Sequence, residues 1–212
     1  MPIDPKFLTL TQWLSPSFPI GAFAYSHGVE QAIYDGWIVG ADDLQTWLAS
    51  CLTQGSARSD AGFLRLAFAA ENASEINATA RAFAASHERV MEAEKQGAAF
   101  VRTVNAVWKF DLPDLLLPVA VGAAAARARL DPDAATSLYL QAFASNLVSA
   151  SMRLMPLGQS DGQAVLAALQ PLVSSVADDT RETTLETIFS NAFLSDIAAM
   201  RHETLQPRLF QS

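Results

Sequence analysis

Apolar and polar positions follow a helical interval along most of this chain. In "DDLQTWLASCLTQG", Leu44, Trp47, Leu48, Cys51 and Leu52 fall at i, i+3, i+4, i+7 and i+8 and form one stripe. Asp42 and Gln45 have the spacing of a capping box at its start, and Gly55 marks its end. A second helix is expected from about Ser59, burying Phe63, Leu66 and Ala67, and a third from Ser74, carrying Ile76, Ala80 and Phe83. A long helix is expected from about His87 to Lys109. Val90, Ala93, Gly97, Phe100, Val104 and Trp108 share its inner face, whereas Glu88, Glu92, Lys95 and Arg102 lie elsewhere and are expected to stay wet. Glycine costs about 1 kcal/mol against alanine in a helix interior, and the return expected for Gly97 is close approach of another backbone.

Pro113 and Pro118 bracket the entry to an alanine-rich helix ending near Leu130. Asp131 then caps a long helix, Pro132 takes its first turn and Pro156 stops it. Ser160 and Gln163 have capping-box spacing before Val165, Leu166 and Leu169, and Pro171 is expected to end or kink that helix. Further helical pattern covers 172–177 and 191–205. No run alternates strictly enough for a strand, and no Asn-Gly or Asp-Gly turn joins two strand-like runs. The pattern predicts an all-α fold, one compact domain of roughly ten helices over 1–212, with a docking tail near 206–212.

Composition narrows the function more than the fold. Half of the 212 residues are hydrophobic and 17% are charged, which suits a packed core. A net charge of −8 disfavours nucleic acid and anionic membrane surfaces as partners. Cys51, the single cysteine, reads as a core residue, and a reducing compartment fits best. The start lacks the basic and apolar regions of a signal peptide, and the apolar run from Leu115 to Ala126 is short and contains Pro118. A soluble cytoplasmic protein is expected.

Candidate chemistry is sparse. Neither the P-loop nor the G-x-G-x-x-G pattern occurs, so no nucleotide cofactor is expected. The three histidines, His27, His87 and His202, share no helical turn, and no metal site is expected from their spacing. No G-x-S-x-G occurs, and Ser26 beside His27 does not make a dyad. Binding features are richer. "SPSFPIGAFAYSHGVE" crowds Phe18, Ile20, Phe23 and Tyr25 between Pro16 and Glu30. Pro16 and Pro19 are expected to stiffen a loop, Gly21 to make its turn, and Ser26 to cap the helix that carries Glu30. Phe18 and Ile20 are expected to face inward and Phe23 to be the ring most available to a partner. Arg153 is a lone cation at the end of an apolar helix, suited to the helix dipole or to a partner carboxylate. The chain closes on Arg208, Leu209 and Phe210, and this apolar pair must dock on its own domain or on another.

Several segments together resemble the urease accessory protein UreF family. They are "SPSFPIGAFAYSHGVE" followed by Gly36-Trp37, "HERVMEAEKQG", "PVAVGAAAA", "SNLVSASMRLMPLGQSDGQ" and "DIAAMRHETLQPRLFQS", in family order from about Leu8 to Ser212. The resemblance implies an all-helical, non-enzymatic chaperone that forms homodimers. It also implies binding of a second accessory protein, UreD (also called UreH), and of the GTPase UreG, on apo-urease, in support of GTP-dependent nickel insertion. The partner-binding residues it implies are Phe23, Tyr25, His27, Glu30, Arg153, Gln159, Asp161, His202, Glu203, Arg208, Leu209 and Phe210. Pro207 stands where many members have Tyr or Ser, and Gln211 where many have Arg, so the ion pair of that last arginine is not carried over. Two other readings stand beside this one: a metallochaperone that holds nickel directly, and a helical enzyme gathering His27, His202 and nearby acids.

Overall fold

The computed structural model describes residues 4–212, which form ten α-helices with no strand among them. α1 (Pro5–Trp13) is a helix that the apolar pattern does not announce. Its signal is local: the Asp4 side chain accepts the Lys6 N–H at 2.8 Å, and Pro5 takes the first turn. α2 (Val29–Tyr34) carries Glu30, whose N–H bonds the Ser26 hydroxyl at 3.3 Å, the expected cap. α3 (Ala41–Gln54) buries all five residues of the predicted stripe. It starts after Gly40, not at an Asp42 capping box, and Asp43 accepts the Val39 N–H at 3.1 Å instead.

α4 (Ser56–Ala69) begins one turn earlier than expected, directly after α3, and buries Phe63 and Ala67 but only part of Leu66. α5 (Ser74–Phe83) follows the pattern. α6 (His87–Trp108) buries Gly97, Phe100 and Val104, while Lys95 and Arg102 are exposed. Glu88 and Glu92 correct the sequence reading: both are buried. Their stripe on α6 is covered by the C-terminal segment, more than a hundred residues downstream, which helical periodicity cannot show. Gly97 meets the expected backbone, since a Cβ there would lie 1.9 Å from the Leu115 carbonyl oxygen.

α7 (Leu117–Arg127) ends sooner than Leu130 and crosses α4 closely at Gly122, opposite the Leu64 carbonyl. α8 (Pro132–Leu154) starts as expected, with Asp131 accepting the N–H groups of Asp133 and Ala134 at 2.8 and 3.4 Å. α9 (Gln159–Asp179) starts after Gly158 without a Ser160–Gln163 box and runs through Pro171. Pro171 and Ala167, whose carbonyl loses its partner, are both exposed, so water can take the missing bond. α10 (Phe193–His202) completes the order.

Two core halves meet across α4 and α8. One is built around Trp13, Phe63, Phe100 and α7, the other around Leu44, Leu48, Leu147 and α9. Trp13 stands edge-on to Phe100, Trp108 and Phe110, so rings surround an indole N–H that has no oxygen partner. Arg65 ties α4 to the ends of α8 and α9. Its guanidinium donates to the Ala177 carbonyl at 2.6 Å and lies 2.8 Å from the Asp133 carboxylate. Arg65→Ala is expected to lower stability by about 2 kcal/mol, because a charge-assisted bond to a helix-end carbonyl is lost with it. Urea unfolding with an unchanged m-value checks this.

Candidate interaction site at the docked C-terminal segment

The segment after α10 lies along the loop before α2 and is held there by backbone groups. Gln211 N–H donates to the Ala24 carbonyl at 2.9 Å, and Ser26 N–H donates to the Ser212 carbonyl oxygen at 2.7 Å. The Ser26 hydroxyl reaches the same oxygen at 2.5 Å. The loop is prepared for this contact: Gly21 turns it with φ 73°, and Phe18 is buried while Ile20 is half-buried, as expected. Gly28 adopts φ 80°, and a Cβ there would lie 2.8 Å from the Ala199 backbone nitrogen, so α10 packs directly on this turn.

Three buried carboxylates receive the segment. Glu30 accepts Leu209 N–H at 2.7 Å on one oxygen and Phe210 N–H at 2.9 Å on the other. Nε2 of His202 lies 3.1 Å from Glu30, and its Nδ1 lies 2.7 Å from Glu88. The second Glu88 oxygen holds the Arg208 guanidinium. Glu92 accepts the Ser212 hydroxyl at 2.5 Å, the Gln96 amide at 3.1 Å and the Arg89 guanidinium. Glu203 accepts the His87 N–H at 2.7 Å and the Glu88 N–H at 3.3 Å, so the residue after α10 caps α6.

The predicted residues divide by where they point. Glu30, His27, His202 and Tyr25 are buried within the chain. Phe210 is buried and Leu209, beside it, is 67% exposed, so the apolar pair splits between core and surface. Phe23 is 72% exposed. Arg153 donates to the Phe23 carbonyl at 2.8 Å and lies 4.5 Å over the Phe210 ring, tying the loop to the segment from above. Gln211 meets Lys95 at 3.5 Å. Gln159 and Asp161 are exposed at the start of α9 and make none of these bonds.

Sequence reasoning missed Glu88 and Glu92, the centre of the arrangement. The available signal was their i, i+4 spacing, mildly repulsive when wet and favourable only where each carboxylate has its own donors.

Behind Glu92, His27 adopts φ 58°, and its Nε2 lies 2.6 Å from the Ser56 hydroxyl. A cleft of about 540 Å³, walled by Trp13, Phe18, Phe143 and Met152, reaches His27, Asp60 and Arg89 from one side. A smaller cavity of about 40 Å³ reaches the same three residues from the other. Among the described residues no group of three or more His, Cys, Asp and Glu side chains has metal-holding geometry. No helix among them is long and apolar enough to cross a membrane.

Burial works to raise the Glu92 carboxyl, but Arg89, the His27 ring 3.9 Å away and the bond from Ser212 outweigh it and hold it down to about 2. Burial, with Arg89, brings the His27 imidazole down to about 4. The folded ring thus refuses a proton that the unfolded ring accepts. Its contribution is complete above pH 6.5 and drains as pH falls toward 4. Asp60, bonded to the Tyr139 hydroxyl at 2.8 Å, is pushed by burial up to about 6. Its ionised form is a penalty above pH 6 that protonation relieves toward its ordinary value of 3.8. Asp60→Asn is expected to be more stable than the wild type above pH 6, by about 1–2 kcal/mol, with the gap closing on acidification. Urea unfolding across this range measures it.

The UreF family profile matches residues 38–170. Similar proteins extend over nearly the whole chain. A urease accessory protein UreF of Roseobacter denitrificans is 50% identical over 208 residues, covering 97% of this chain and 94% of its own. Another of that name from Cereibacter sphaeroides is 49% identical over 205 residues, covering 97% and 98%. A third, from Ruegeria pomeroyi, is 44% identical over 214 residues, covering 100% and 99%. A profile spanning most of the helical core, with relatives of such identity along both chains, places this chain in the UreF family.

Proposed function

We propose that this chain serves urease maturation as a non-catalytic adaptor. It joins the second accessory protein, UreD or UreH, and the GTPase UreG on apo-urease, and so supports GTP-dependent nickel insertion. It works in the cytoplasm as a homodimer. The observation that carries the reading is the docked C-terminal segment, where three buried carboxylates fix a backbone that holds Phe23 and Leu209 outward. Rigid exposed apolar side chains on a fixed frame suit a partner, because little ordering cost remains at binding. Tyr25, His27, Glu30, His202 and Glu203 act from beneath by fixing that frame, Arg153 by clamping it and Arg208 by anchoring the segment. Gln159 and Asp161 offer a separate exposed contact. Nickel is the cargo, and His27 and Asp60 are the nitrogen and oxygen donors that line both the cleft and the smaller cavity, with Glu92 on the cleft side.

The test is recovery of the urease GTPase with this chain from co-expressing cells, with and without the second accessory protein. Recovery with the second accessory protein present supports the adaptor, and recovery in neither case sinks it. Tight stoichiometric nickel binding by the isolated chain in equilibrium dialysis would favour the metallochaperone instead.

A further inference from the structure

His202, the last residue of α10, is fully buried between two acids. Its Nδ1 lies 2.7 Å from a Glu88 oxygen on α6, and its Nε2 lies 3.1 Å from a Glu30 oxygen on α2. Both are hydrogen-bond distances, and a charged carboxylate can only accept. A neutral imidazole carries a proton on one nitrogen alone, so its other lone pair would face a carboxylate oxygen with no hydrogen between them. A ring protonated on both nitrogens donates to each acid.

The neighbouring donors leave the proton to the ring. Glu30 and Glu88 each stand in the first turn of a helix, where the dipole favours a charged carboxylate. Glu30 also accepts the N–H groups of Leu209 and Phe210, and Glu88 holds the Arg208 guanidinium, and such donors favour the charged form too. The charges then balance: two carboxylates meet one imidazolium and one guanidinium. The other ionisable groups on the packed elements are engaged elsewhere. Glu203 caps α6, Arg201 pairs with Asp35, Arg89 pairs with Glu92, and His27 turns to Ser56. Asp196 lies half-buried beside Arg89, and His87 is exposed. We propose that His202 is a proton switch for the C-terminal segment. Its imidazolium holds Glu30 and Glu88 where they receive Leu209, Phe210 and Arg208. Loss of the ring proton leaves a buried charge uncompensated, and undocking relieves it by admitting water. Docking is therefore complete while the ring is charged and weakens with rising pH once the proton is lost. The switch belongs to the chain itself. What it does to the assembly rests on the adaptor reading, since it acts on the frame that holds Phe23 and Leu209 outward.

Nitrogen NMR of the histidine rings in the full chain, run beside amide hydrogen exchange over one rising pH series, tests it. The chain has three histidines, so the ring signals are few. At neutral pH both nitrogens of His202 should give the signal of a protonated nitrogen. Further up the series the ring signal should change to that of a neutral tautomer. Over that same interval the amides of Leu209 and Phe210 should lose protection, corrected for the intrinsic rate, by at least about tenfold. Those of α4 and α7 should stay protected. His202→Gln, which offers one donor group and takes no proton, should protect the two amides less at neutral pH and show no such interval. A bare His202 nitrogen at neutral pH would overturn the switch. So would unchanged protection across the titration of the ring, or a ring that keeps both protons until α4 and α7 open. The wild-type series decides even where the variant fails to fold. Recovery of the GTPase does not enter, so a failed switch leaves the adaptor reading standing, and a failed adaptor leaves the switch.

Discussion

Glu30→Ala is expected to release the C-terminal segment and to lower stability by about 2–4 kcal/mol. The carboxylate is buried and serves three groups at once: the N–H of Leu209, the N–H of Phe210 and the His202 ring. Alanine leaves all three without that acceptor. Undocking limits the loss, because water then reaches the two backbone N–H groups, but it also exposes Phe210, which is 2% exposed when docked. Glu30→Gln keeps the shape and one acceptor oxygen while turning an amide N–H₂ toward donors, so an intermediate loss is expected. Hydrogen exchange gives the specific readout. In the alanine variant the amides of Leu209 and Phe210 should exchange far faster than those of α4 and α7, by opening of the segment alone. Unchanged protection at those two amides would contradict the role assigned to Glu30.

Gly97→Ala is expected to cost about 3–5 kcal/mol, although alanine is the better helix former by about 1 kcal/mol. The added Cβ would lie 1.9 Å from the Leu115 carbonyl oxygen and 2.8 Å from the Leu117 nitrogen. Both obstacles are backbone, with no side chain to swing aside. The segment they belong to is pinned by Asn77, which accepts the Leu116 N–H at 2.8 Å, and runs between Pro113 and Pro118. α6 and α7 must therefore separate along their contact. Gly40→Ala is the control, since its φ is −165° and nothing lies within 4 Å of the added atom. Its melting temperature should match the wild type, while that of Gly97→Ala should fall well below it.

The helices were legible where one face decides their fate. Leu44 to Leu52 on α3 and Asp131-Pro132 at the start of α8 carry their signals within a few residues, and Gly97 announced a close backbone by its cost alone. Pro171 misled because a proline on an exposed face leaves its orphaned carbonyl to water. The docking loop was legible in outline, with Phe18 inward, Gly21 at the turn and Phe23 outward. The carboxylate frame was not. Glu88 and His202 stand 114 residues apart, and Glu30 and His202 stand 172 apart. No local pattern marks a glutamate whose donors arrive from the far end of the chain. Arg153 shows the same limit: its partners are the Phe23 carbonyl and the Phe210 ring, not its own helix end.

The proposed function makes the docked segment the surface on which the maturation partners assemble. Deleting Arg208 to Ser212 tests it most directly, with the variant co-expressed with the second accessory protein and the GTPase and the complex recovered by pull-down. Removing five residues opens Glu30, Glu88 and Glu92 to water without touching any of the ten helices. The predicted result is loss of the ternary complex with helical circular dichroism unchanged. Recovery of the full complex by the truncated chain would contradict the claim.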